Sequence, residues 1–218
     1  MSGALQIYDQ ALRGETAAVR FADGLRLELP VERYLAPVSA AEQRLLEHVV
    51  GPVLDVGCGP GRLLHALAAR DVFALGVDLS PVAVELALSG GAQAMVGDVF
   101  GELPGAGTWR TALLLDGNIG IGGWPARLLA RLRTLLHADG SVLVELEPPW
   151  AWTGVAVARL EVGRLASDWF PWASVSAGAI SRVAAGVAMH VQQLWAVDGR
   201  WFARLAVSAT PDDAEGNR

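Results

Sequence analysis

The stretch that decides the fold is VLDVGCGPGR, residues 53–62. A short apolar run ends in an acid, Asp55, and glycine then recurs at 57, 59 and 61. Glycine at that density holds backbone close to something, in conformations that a Cβ forbids. A dinucleotide loop would read G-x-G-x-x-G, with pyrophosphate at the helix N-terminus and an acid about 20 residues on. The spacing here is G-x-G-x-G instead, interrupted by Pro60, and Arg62 stands where that pattern wants glycine or alanine. An acid ahead of the glycines is unhelpful beside pyrophosphate. Beside a ligand carrying an ammonium group it fits, directly or through water.

Working outward, helix and strand signals alternate. Ser39-Ala-Ala-Glu42 is a capping box, followed by Leu45, Leu46, Val49 and Val50 on one helical face. PVLDV (52–56) reads as a buried strand and RLLHALAAR (62–70) as a helix. VFALGVDLS (72–80) is a second strand, and Ser80-Pro81 supplies a cap and a first-turn proline for the next helix. QAMVGD (93–98), TALLLD (111–116) and SVLVELE (141–147) are three further strands, with a leucine-striped helix opening at Pro125. Continuous apolar strands separated by helices predict a parallel sheet covered on both faces. AMHVQQLWAV and RWFARLAVS flank Asp198-Gly199, a hairpin signal, so the sheet is expected to end in an antiparallel pair. Residues 148–187 carry Trp150, Trp152, Trp169 and Trp172 and then a helix near 177–185.

The acids fall in register with this order. Asp55, Asp78 and Asp98 end three successive strands, the edge where open α/β sheets bind ligands. Asp78 can accept both hydroxyls of a ribose, and Asp98 can accept from the exocyclic amine of a purine. The ligand so described has an amine, a ribose diol and an adenine, with no phosphate to cradle: S-adenosylmethionine. VLDVGCGPGR, GVDLS and MVGDVF, in this order and spacing, resemble the class I S-adenosylmethionine-dependent methyltransferases over roughly residues 40–208. That resemblance implies a Rossmann-like, doubly wound, mostly parallel seven-stranded sheet with helices on both faces and a terminal antiparallel hairpin. It also implies that Gly57, Gly59 and Gly61 line the methionine portion of the cofactor, that Asp78 holds the ribose, and that Asp98 with Val99 meets the adenine edge. Asp55, Cys58 and Leu79 fall on the same cofactor side.

Methyl transfer is an in-line displacement at a sulfonium, so the protein's main tasks are positioning and water exclusion. Acceptor-side candidates come from strands four and five. DGNIGIGGW (116–124) offers Asp116 and Asn118 among four glycines, which are read as letting backbone approach a ligand. Glu145 and Glu147 share one face of strand five, and Glu147 at its end can orient or deprotonate an acceptor. The tryptophans of 150–172 can wall the acceptor or pack on the sheet edge. EPPW (147–150) is similar to the motif by which amino-group DNA methyltransferases grip a base, but it follows strand five rather than four and begins with glutamate.

Composition narrows the partners. The chain has 218 residues, 52% hydrophobic and 18% charged, enough for one large core. A net charge of −6 opposes the phosphate-neutralising surface that nucleic-acid binding needs. No stretch of apolar residues long enough to span a membrane escapes a charge or a glycine cluster, and MSGALQIYDQALRGE lacks the pattern of a secretory signal. Cys58 is the only cysteine, so there is no disulfide framework, and a reducing cytoplasm is expected. The scattered histidines, His48, His65, His137 and His190, offer no metal site. The expected organisation is an N-terminal segment (1–38) able to cover cofactor or substrate, a methyltransferase domain (39–208) with a Trp-rich insertion at about 148–176, and a loose tail (209–218). The expected reaction is methylation of a small molecule on oxygen, nitrogen or carbon. The alternatives are an RNA- or protein-modifying methyltransferase and a cofactor-binding regulatory protein without turnover.

Overall fold

The computed structural model describes residues 2–208. The tail expected over 209–218 lies outside the described residues. In chain order the elements are α1 (Ser2–Leu12), β1 (Ala17–Phe21), β2 (Arg26–Glu28), α2 (Val31–Leu35), α3 (Ala40–Leu46), β3 (Val53–Val56), α4 (Arg62–Ala68), β4 (Ala74–Asp78), α5 (Pro81–Ser89), β5 (Ala94–Val96) and β6 (Trp109–Leu114). A 3-10 segment (Asn118–Gly123) follows. Then come α6 (Pro125–Leu135), β7 (Leu136–Leu146), β8 (Gly154–Val162), β9 (Leu165–Ala166), β10 (Phe170–Ser174), α7 (Ile180–Ala185), β11 (Met189–Val197) and β12 (Arg200–Val207).

The main sheet has seven strands in the order β11-β12-β7-β6-β3-β4-β5. The five strands β3 to β7 pair in parallel. β12 runs antiparallel to β7, and β11 to β12. The terminal hairpin turns on Asp198 (φ 50°) and Gly199 (φ 78°), the two positive φ values that a primed two-residue turn requires. Strands are added outward on one side of β3 as far as β5, and on its other side through β6 and β7. The switch point therefore lies between β3 and β6, where Asp55 and Asp116 leave the sheet.

Local chemistry sets the boundaries much as the sequence predicts. Ser39 and Glu42 close the capping box on α3, and the Ser80 side chain accepts from the Ala83 amide to start α5. β7 departs from expectation by beginning at Leu136. Residues 137–140 bulge between the pairs Trp109–Leu136 and Thr111–Ser141, so the Asp139-Gly140 signal marks a bulge inside the strand. The core lies on both faces of the sheet: α6 contributes Leu128, Leu129, Leu132 and Leu135 to one, and α3 and α4 contribute Leu45, Leu64 and Leu67 to the other, all buried.

A second, antiparallel sheet has the order β10-β8-β1-β2, with β9 beside β8. It joins the N-terminal segment to the Trp-rich stretch: Ala17–Phe21 pair with Ala158–Val162, and Phe170–Ser174 with Gly154–Ala158. Alternation explains its two faces. Val155 and Val157 point outward and are exposed, whereas Ala158 and Val162 are buried. α1 packs over the Leu160–Val162 end through Ile7 and Ala11. β10 packs over the 3-10 segment at the other end. The small sheet is thereby held above the C-terminal edge of the main sheet.

Candidate functional site

The glycine loop leaves β3 with Gly57, Gly59 and Gly61 all left-handed (φ 69°, 54° and 86°), a run that side chains other than glycine resist. Close packing adds a second constraint. A Cβ on Gly57 would lie 2.6 Å from the Asn118 amide nitrogen, and one on Gly61 2.8 Å from the Ala87 Cβ. On Gly59 it would meet the Tyr8 hydroxyl at 3.3 Å. Tyr8, on α1, thus lies directly over the centre of the loop. Burial first, then the nearby Asp78 carboxylate, raises the Tyr8 phenol well above its usual range, so it stays protonated at neutral pH.

The predicted cofactor residues come together along one edge. Asp55 is buried, and its Oδ2 has no hydrogen-bond partner. Asp78 accepts from the Gly59 amide through Oδ2 and from the Ser80 amide through Oδ1, both at 2.9 Å. Burial raises its pKa, opposed by those two amides. Asp98 is exposed, its Oδ1 accepting from the Phe100 amide at 2.9 Å, with Val99 buried beside it and Leu79 exposed. Cys58 is buried and free, and burial pushes its thiol far above the usual range, which leaves it inert as a nucleophile.

The acceptor-side candidates divide. Asn118 donates from Nδ2 to the carbonyls of Val56 (2.9 Å) and Gly57 (3.0 Å), clamping the glycine loop to the segment after β6. Asp116, itself left-handed (φ 55°), belongs to a cluster of three acids and three arginines. Arg62 bridges Glu42 (2.5 Å) and Asp116 (2.7 Å), and Arg33 of α2 lies 2.7 Å from the other Asp116 oxygen. Arg200 grips Glu145 (2.7 Å) and reaches Glu42 (3.0 Å), and the Asp116 amide donates to Glu145 at 2.8 Å. Burial alone would raise the pKa of Glu42, but Arg62, the Ser39 amide and Arg200 bring it to about 2. Arg200 likewise outweighs burial at Glu145 and lowers it. Beside the cluster, Tyr34 is pushed up to about 12 by burial and then by Asp116. Glu147 stands apart: its backbone pairs with residues 175–177, and its side chain is exposed.

The glycines of 116–124 require a correction. At Gly120 and Gly123 they do not open space for a ligand; β10 fills it, and Phe100 lies against Gly122. A Cβ on Gly120 would lie 2.6 Å from Trp172 Nε1, and one on Gly123 2.5 Å from the Pro171 Cβ. What the segment brings to the site is Trp172, laid across Gly117 and Gly120 next to Asn118, with Phe170 edge-on at 6.3 Å. Trp150, Trp152 and Trp169 are exposed, and Arg159 is occupied by Glu161 and the Trp169 ring. Sequence reasoning missed Arg33, Glu42, Arg62 and Arg200 as parts of the site. The out-of-pattern Arg62 was the one available signal. Among the described residues no helix is long and apolar enough to cross a membrane, and no group of histidine, cysteine or acids could hold a metal ion.

Sheet order, switch point and the acid-lined glycine loop define a class: an open α/β fold whose ligand edge suits a phosphate-free nucleoside. Residues 53–140 match the family described as methyltransferase domain. Over 94% of this chain the fold superposes on 93% of a SAM-dependent methyltransferase from Bacteroides fragilis, in complex with S-adenosyl-L-homocysteine, at TM-score 0.77 and 23% identity. A Burkholderia thailandensis 1,6-didemethyltoxoflavin-N1-methyltransferase matches 78% of this chain and 77% of its own (TM-score 0.59, 18% identity). A glycopeptide N-methyltransferase complexed with S-adenosylmethionine matches 78% and 95% (TM-score 0.59, 13% identity). The whole chain thus has the fold of these S-adenosylmethionine-dependent methyltransferases, and its residues 53–140 match the methyltransferase-domain family.

Proposed function

We propose that the chain methylates a nitrogen of a small molecule that enters between the small sheet and the glycine loop. The carrying observation is that Asp116, Asn118 and Glu145, the polar side chains around the segment after β6, are already committed. Asp116 and Glu145 are held by arginines, and Asn118 is held by two backbone carbonyls. The four histidines make their contacts elsewhere: His48 with Trp195, His65 with the Ala87 carbonyl, His137 with Asp139 and His190 with Ser208. An acceptor that brings its own lone pair suits such a site, because an unprotonated amine or a pyridine-type ring nitrogen needs no base before it attacks. The names of the toxoflavin N1- and glycopeptide N-methyltransferases point the same way. Glu147, exposed at the rim, is the remaining group that could take up the proton released after transfer.

In this reading Asp55, Gly57, Cys58, Gly59, Gly61, Asp78, Leu79, Asp98 and Val99 hold S-adenosylmethionine. The unpartnered Asp55 oxygen and the left-handed loop suit an ammonium group with no phosphate. When bound, the cofactor supplies a methyl group already activated by sulfonium. Tyr8 on α1 excludes water above Gly59, and Trp172 with Phe170 forms an apolar, aromatic wall for the acceptor. The N-terminal segment acts as cover. The net charge of −6 disfavours nucleic acid as acceptor, and the single buried thiol suits a reducing cytoplasm. Incubation with S-adenosylmethionine and a panel of amines, N-heterocycles, phenols, RNA and peptides, with S-adenosylhomocysteine quantified, tests the reading. Turnover confined to small nitrogen acceptors supports it, and turnover on RNA or protein alone overturns it.

A further inference from the structure

Asp55 has an oxygen that nothing among the described residues satisfies. It ends β3 at the switch point with 1% of its surface exposed, and its Oδ2 has no hydrogen-bond partner. Three neighbouring elements present charge to it: Asp78 from the end of β4, Asp116 from beyond β6, and Arg62 from the first turn of α4. The Cys58 thiol lies in the same field. Arg62 is the only cation in that set, and its Nη2 is shared between Glu42 and Asp116. Asp55 therefore sits among carboxylates with a shared arginine and an oxygen that accepts no hydrogen bond. A buried carboxylate in such surroundings keeps its proton rather than its charge. Burial foremost, then Asp116 and Asp78, against the pull of Arg62, brings its pKa to about 7.

We infer that binding of S-adenosylmethionine drives the proton off Asp55 into solvent, so that pH across the neutral range gates occupancy of the site. The inference rests on the proposed placement of the cofactor's methionine end at the glycine loop. There the ligand's ammonium and sulfonium bring positive charge to an edge lined by Asp55, Asp78 and Asp116, and that nearby charge favours the ionised form of buried Asp55. The cofactor then competes with a proton for the same carboxylate. Acidification loosens the cofactor, and the ionised, cofactor-bound form prevails above neutrality.

The test is calorimetric titration of the full chain with S-adenosylmethionine at pH 6.0, in two buffers of different ionisation enthalpy. At that pH the cofactor's own α-amine, with an ordinary value of about 7.7–8.0, is already charged and exchanges no proton. With Asp55 near 7, release of about 0.9 proton per cofactor is expected, and affinity should tighten about 15-fold from pH 5.5 to 7.0. In Asp55→Asn both the release and the pH dependence should vanish. Should that variant fail to fold, the two-buffer measurement on the unaltered chain still decides. Saturable binding without proton exchange, or release that persists in Asp55→Asn, would overturn the inference and leave the cofactor reading standing. No saturable binding at any pH would take down that reading, and the inference with it.

Discussion

Arg62→Met should destabilise the protein, and by an amount that depends on pH in a defined way. The Arg62 side chain is 7% exposed and bridges Glu42, 2% exposed, to Asp116, 14% exposed. Removing one partner of a buried ion pair costs about 3–5 kcal/mol, because the remaining charge is left uncompensated. Arg200 still reaches Glu42 at 3.0 Å and Arg33 still reaches Asp116 at 2.7 Å, so the loss should fall below that range. We expect about 2–3 kcal/mol at pH 7, a drop of about 5–10 °C in Tm for a chain of this size. The pH dependence follows from Glu42. Its pKa in the fold, about 2, lies below its ordinary value of 4.5. Stability from that shift, about 3 kcal/mol over all its partners, is therefore complete above pH 4.5 and lost as pH falls toward 2. The gap between the two proteins should narrow as Glu42 protonates. Thermal unfolding by circular dichroism at pH 7 and pH 3.5 reads both effects. Equal melting temperatures at pH 7, or a gap as wide at pH 3.5 as at pH 7, would refute the assignment of Arg62 as the tie between Glu42 and Asp116.

The other expectations concern packing and ligands. Gly120→Ala pushes a methyl group into Trp172 and the β10 backbone and should cost about 1–3 kcal/mol, read by urea denaturation; a neutral substitution would mean that β10 does not press on the 3-10 segment. Asp78→Ala should weaken S-adenosylmethionine by about 1.5–3 kcal/mol, roughly 10- to 150-fold in affinity. Because Asp78 also ties the Gly59 and Ser80 amides, a melting curve should accompany that titration, and unchanged affinity would remove Asp78 from the ribose role. Trp172→Ala should raise the KM of a working acceptor more than that of the cofactor, and equal increases would place the indole outside the acceptor wall.

The sheet was legible because its strands are buried on both faces and so read as unbroken apolar runs, each stopped by an acid or a turn. The Asp198-Gly199 turn was legible for a local reason as well, since two consecutive positive φ values call for those residue types. The small sheet was not. Its register joins Ala17–Phe21 to Ala158–Val162, and nothing local in either segment specifies a partner so distant in sequence. With β10 unseen, the glycines at 120 and 123 read as room for a ligand, when their missing Cβ atoms make room for Trp172 and Pro171. The ion-pair cluster was hidden for the same reason. Arg33, Glu42, Arg62, Asp116, Glu145 and Arg200 come from six separate elements or loops, and only the fold brings them together. The capping box identified Glu42 as a helix-start residue, and its second use, as the buried anion for Arg62 and Arg200, needs the third dimension.

The most direct test of the central claim, that the glycine loop and its three strand-end acids hold a phosphate-free adenosyl cofactor, is calorimetric titration at pH 7.5 with S-adenosylmethionine, S-adenosylhomocysteine and NADH. The structure predicts saturable binding of the first two and none of NADH. Binding of NADH alone would contradict it.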